Sequence, residues 1–133
     1  MKLHNIFILA IALMLSACGS NEEAELTQSI DNLETAFDAE PPAATPDRPA
    51  PPPAARKQLQ EQVKQASNFM REEKYEEAMG VLHNVRRSPY ISAEEKPHID
   101  DAMRKSQKSL ARLLQQGGLS AAEEARIRQQ LGR

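Results

Sequence analysis

Tryptophan is absent from the 133 residues, aromatic residues make up 4% of them, and cysteine occurs once. So little aromatic surface allows one modest core, and a single thiol rules out an internal disulfide, so packing alone must hold any folded part together. The few glycines form no phosphate-cradling loop, and no G-x-S-x-G nucleophile turn is present. Basic and acidic side chains nearly cancel, 17 against 19, and the basic surplus of the C-terminal part is small, which predicts no nucleic-acid partner. His83 and His98 have no histidine at the i, i+4 spacing of helical metal sites, so no metal ligands are predicted. His98 lies near Asp100 and Asp101, but acids at a helix start serve the helix dipole. The carboxylate pairs Glu72–Glu73 and Glu76–Glu77 occupy adjacent helix positions and diverge, so they cannot flank one substrate bond. No catalytic residue, cofactor or enzymatic activity is predicted.

What is present begins with Met1, Lys2 and a largely apolar run from Ile6 to Ala17. A membrane-crossing helix takes about 20 residues, and this run is shorter, with the layout of a secretory signal. Its end, Leu15-Ser16-Ala17-Cys18, resembles the lipobox of bacterial lipoproteins: an aliphatic residue, two small ones and a cysteine. The resemblance implies a diacylglyceryl group on the Cys18 thiol, cleavage before it and acylation of the new amino terminus, so residues 1–17 are a signal peptide and 18–20 a lipidated start. Two or more acyl chains anchor a protein stably where one does not. By the family's sorting rule, Gly19 in place of aspartate directs the protein to the outer membrane, facing the periplasm. The alternative is a plain signal peptide, or a poor membrane helix, with a free thiol after it.

Charge divides the chain. Residues 1–53 carry two basic and eight acidic side chains, net −6, and residues 54–133 carry fifteen and eleven, net +4. The two halves attract, within one chain or between copies. Residues 21–40 read as an acidic amphipathic helix whose Leu26, Ile30, Leu33 and Phe37 recur at spacings of 4, 3 and 4. An isolated helix of that length is marginal in water, so this one frays unless docked. Residues 41–53 hold seven prolines in thirteen positions and predict a polyproline spacer of about 40 Å, a stalk lifting the domain off the membrane or a ligand for an aromatic groove.

Residues 54–133 read as all-helical. Leu59, Val63, Ala66 and Met70 line a first helix, and Tyr75, Ala78, Met79, Leu82 and Val85 a second that stops at Ser88 and Pro89. Ser92 with Glu95 forms a capping box for a third, with Ile99, Met103, Leu110, Leu113 and Leu114 on its apolar side, ended by Gly117 and Gly118. Ser120 with Glu123 caps a short fourth carrying Ile127 and Leu131.

The stretch QASNFMREEKYEEAMGVLHNVRRSPY resembles a single tetratricopeptide repeat, with no second full repeat in the sequence, through Ala66, Phe69, Tyr75, Ala78, Leu82 and, one position early, Pro89. It departs from the pattern at Gln62 and Gln65, and at Glu73, where glycine is frequent. The implied fold is all-α, a small tetratricopeptide-like hairpin with one or two capping helices; a plain three- or four-helix bundle is the alternative. In that family the first helix of each hairpin faces the binding groove, which implies Val63, Lys64, Ser67, Met70 and Arg71 here. Arg104, Lys105 and Lys108 on the third helix extend the strip, and an acidic or carboxylate-ended peptide of an envelope protein suits it. The expected function is a membrane-anchored, non-catalytic interaction or assembly module of the cell envelope. The alternative is a structural lipoprotein that self-associates through Leu26, Ile30, Leu33 and Phe37.

Overall fold

The structure is a computed structural model that describes residues 17–40, 43–46, 49–117 and 121–131, with side chains described for all of these except 17–20, 121, 123, 124, 130 and 131. Most of the run expected to be a signal peptide, including Leu15 and Ser16 of the lipobox-like stretch, therefore lies outside the described residues, as do Gly118, Ser120 and the side chains of Cys18, Glu123 and Leu131. The fold is all-α: α1 (Ala17–Asp38), α2 (Pro53–Arg71), α3 (Tyr75–Arg86), α4 (Lys96–Gln115) and α5 (Ala121–Leu131), with no β-strand among the described residues.

The first four helices form a ring. α1 packs on α2, α2 on α3, α3 on α4, and α4 closes back onto α1. The acidic helix is thus one wall of the bundle. Its seam residues Leu26, Ile30, Leu33 and Phe37 are buried, as are Leu59, Val63, Ala66 and Met70 from α2, and all belong to one continuous core. A marginal helix holds its shape here because its apolar side is covered.

That arrangement corrects the expected stalk. The proline-rich segment joins two helices of the same bundle, and its ends are held together: Gln60 Nε2 donates to the Phe37 carbonyl at 2.8 Å, and Arg56 Nη2 donates to the same oxygen at 2.8 Å. It is an internal connection between two helices of the bundle. α2 begins within it, at Pro53, where the missing N–H costs nothing because the first turn has no partner for it.

The hairpin α2–α3 turns at Glu72, Glu73 and Lys74. Glu73 has φ of 60°, its N–H donates to the Met70 carbonyl at 3.2 Å, and Lys74 N–H donates to Phe69 at 2.8 Å, the paired bonds of a Schellman cap. A non-glycine residue pays about 1–2 kcal/mol for left-handed backbone, so Glu73→Gly is expected to stabilise the fold, by up to about 1 kcal/mol after the entropy of glycine is subtracted. A urea midpoint that falls on this substitution would refute the strained-cap account. Ala66 and Ala78, both fully buried, keep the packed hairpin close.

The capping box is present: Glu95 N–H donates to Ser92 Oγ at 3.0 Å and Ser92 N–H to Glu95 Oε2 at 2.9 Å. α4 runs on through Pro97 near its start and ends at Gly117, φ 66°. Its buried residues are Ile99, Ala102, Ser106 and Leu110, while Met103, Leu113 and Leu114 are only partly covered. The seam is therefore made of smaller residues than apolar spacing suggested. α5 rests on α3 through Arg126 and Glu76, 3.0 Å apart, and buries Ile127 in the core.

Candidate functional site

The strip expected to receive an acidic peptide is occupied by the chain's own acidic helix. α2 and α4 flank α1, and each supplies cations to it. From α2, Arg71 holds the Glu34 carboxylate with two bonds of 2.9 and 3.0 Å and lies 4.0 Å from Asp31, while Lys64 lies 3.7 Å from Asp38. From α4, Lys108 and Arg112 meet Glu22 at 2.7 and 2.9 Å, and Lys105 meets Glu25. Acids of α1 thus meet basic side chains of α2 and α4 across this contact.

Of the eight strip residues, Val63, Ser67 and Met70 lie buried in the core and Lys64, Arg71, Lys105 and Lys108 pair with α1. Arg104 does not reach α1. It pairs with Asp101 on its own helix and is three-quarters exposed, because one residue along an α-helix turns a side chain by about 100°. Arg112, which the strip omitted, follows Lys105 and Lys108 at spacings of 3 and 4 and faces Glu22. Asp101 accepts a bond from Ser29 Oγ at 2.7 Å, tying α1 to α4 by a neutral donor as well.

These contacts depress acid pKa values. The bond from Lys108 and its charge, with Arg112 behind, hold Glu22 below the usual carboxylate range, Lys105 does the same to Glu25, and Arg71 to Glu34. At Asp101 partial burial pushes upward, but the bonds from Ser29 and Arg104 outweigh it and the group is lowered. Each folded value lies below the unfolded one of about 4. A lowered carboxylate contributes stability above its unfolded pKa, and that contribution disappears as pH falls through the folded value. The urea midpoint is therefore expected to drop on acidification from about pH 5 to pH 3, and α1 amide protection to fall with it. A midpoint unchanged over that window contradicts the pairing.

At the opposite end, a buried network joins three helices. Arg56, in the first turn of α2, bonds through Nη1 to Glu95 Oε1 and donates through Nη2 to the carbonyls of Phe37 and Ala39 at 2.8 and 3.2 Å. Its guanidinium stands 5.2 Å from the centre of the Phe37 ring. The carbonyls at the end of α1 have no helical partners, and a cation there suits the dipole. Glu95 closes the network by accepting from the Ser92 N–H with its second oxygen, in the turn that leads into α4. The sequence marks Glu95 only as half of the capping box, and nothing in it marks Arg56.

A second, open cleft runs along the outer side of α3 and is lined by Glu76, Met79, Gly80, His83, Met103 and Arg126. Among the described residues no group of three or more His, Cys, Asp and Glu side chains is placed to hold a metal ion, and no helix is long and apolar enough to cross a membrane. Compared with known proteins, the chain matches no family model, and no curated protein or solved structure is significantly similar to it.

Proposed function

We propose that this is a lipid-anchored, non-catalytic interaction module of the bacterial cell envelope, held at Cys18 in the outer membrane and facing the periplasm. In this reading the α2–α3 hairpin is tetratricopeptide-like and its groove binds an acidic amphipathic helix. The observation that carries it is the chemistry of the α1 contact: four apolar residues in a 4-3-4 spacing, flanked by acids that meet Arg71, Lys105, Lys108 and Arg112. The groove holds a segment of that description, and in the free chain the segment is its own. An envelope protein carrying the same pattern takes the place of α1.

Self-association through Leu26, Ile30, Leu33 and Phe37, the structural alternative, requires α1 to leave the bundle first, since all four are buried within one chain. Exchange of α1 between copies is the form that alternative takes.

Two triple variants test the proposal in envelopes by cross-linked purification. Glu22, Glu25 and Glu34 changed to Lys weaken α1 docking, and partner recovery is expected to rise. Arg71, Lys105 and Lys108 changed to Glu weaken the groove for any acidic segment, and recovery is expected to fall. Equal recovery from the two overturns the groove reading; recovery of the protein's own copies alone favours the structural one.

A further inference from the structure

We infer that the bundle lies directly against the bilayer, with the end formed by the start of α1, the α2–α3 turn and the end of α4 resting on the phospholipid headgroups. This rests on the reading of Cys18 as the acylated residue. The geometry that points to it is the shortness of the tether. Cys18 already lies within α1, and Glu22, four residues on, is held by Lys108 and Arg112. Only Gly19, Ser20 and Asn21 intervene. Along a helix those four steps rise about 6 Å. Even a fully extended chain would cover no more than about 14 Å.

The anchored sulfur sits at headgroup level, so the folded body starts within one headgroup layer of it. No longer spacer is available, because the proline-rich segment comes after α1 and connects it to α2, with Gln60 and Arg56 holding both ends at Phe37. The polypeptide cannot swing the bundle away without undocking α1. The antiparallel ring then fixes which parts are near and which are far. Glu73, Arg112, the half-buried Leu113 and Leu114, and Gln116 share the near end with Glu22. The Arg56–Glu95 network and the α3–α4 connection occupy the far end, one helix length away, about 30 Å for the twenty residues of α4. The two half-buried leucines meet the interface between headgroups and acyl chains, while Lys74 and Arg112 keep Glu72 and Glu22 as their partners.

The experiment uses the full lipidated chain in phosphatidylethanolamine–phosphatidylglycerol vesicles containing headgroup-nitroxide lipid. With Cys18 acylated, a cysteine introduced at Gln116 or at Ala93 is the only free thiol and takes a single fluorophore. Quenching at Gln116 is expected to exceed that at Ala93 several-fold. A ten-residue Gly/Ser insertion between Ser20 and Asn21 should abolish the difference, whereas the same insertion between Ala43 and Ala44 should leave it intact. Equal quenching at the two sites, stronger quenching at Ala93, or loss of the difference on lengthening the proline-rich segment overturns the orientation alone. A Cys18 thiol that labels freely in the wild-type chain overturns the anchor reading, and the orientation with it.

Discussion

Replacing Arg56 with alanine is expected to lower the unfolding free energy by about 3–5 kcal/mol, the range for removing one partner of a buried ion pair. Arg56 is 7% and Glu95 3% exposed, so the carboxylate left behind keeps the Ser92 N–H as its partner and has no counter-charge beside it. The carbonyl of Ala39 loses its guanidinium donor, and Phe37 loses the cation beside its ring. A domain of this size has about 5–15 kcal/mol in total, so the variant approaches unfolding at ambient temperature. Arg56→Lys is expected to recover little, because a single ammonium nitrogen on a flexible stem cannot stand in both places that Nη1 and Nη2 of the planar guanidinium occupy, one at Glu95 and one at the carbonyls of Phe37 and Ala39. Arg56→Met with Glu95→Gln should be milder than either loss predicts by addition, since no charge is left buried and the glutamine retains the cap. Urea unfolding of residues 19–133 at pH 7 measures all four variants. If Arg56→Ala costs no more than Arg71→Ala, an exposed pair worth about 0–1 kcal/mol, the network is not the keystone described.

The elements were largely legible and the partners of their faces were not. The 4-3-4 seam of α1, the Ser92–Glu95 box, the break after α3 and the stop at Gly117 are short-range signals, decided by residues a turn or two apart, and each appears at its expected place. What covers a seam is a long-range matter. The same four apolar residues suit a second copy or the chain's own bundle, and the opposite charges of the two halves favour attraction without saying which copy supplies it. The proline content predicts stiffness, but not that both ends return to Phe37, so a connection inside the bundle read as a stalk. Ala102 and Ser106 were passed over because small residues carry little hydrophobicity, although small residues let helices pack closely. Arg56 and Glu95 stand 39 positions apart, and no local pattern joins them. One hint existed: a cation in the first turn of α2 opposes that helix's dipole and needs a reason from elsewhere.

Leu33→Ala is expected to cost about 2–5 kcal/mol and to release α1 before the rest of the bundle unfolds. Leu33 is fully buried at the middle of the seam, between Ile30 and Phe37. The ion pairs around it are mostly exposed, each is worth about 0–1 kcal/mol, and salt screens them. Apolar burial therefore decides whether α1 stays, and the charges decide which way round it docks and which rivals it resembles. Glu34→Ala, one residue along, is expected to cost under about 1 kcal/mol. Native-state hydrogen exchange separates the two effects: in Leu33→Ala the amides of residues 24–38 should lose more protection than those of α2 and α3, which share the hairpin contact. The freed groove is the one proposed to bind acidic helices, so the same variant should recover more partner from envelopes than wild type. If Glu34→Ala loosens α1 as much as Leu33→Ala does, the charges hold the helix, and ionic strength rather than a competing apolar seam controls the groove.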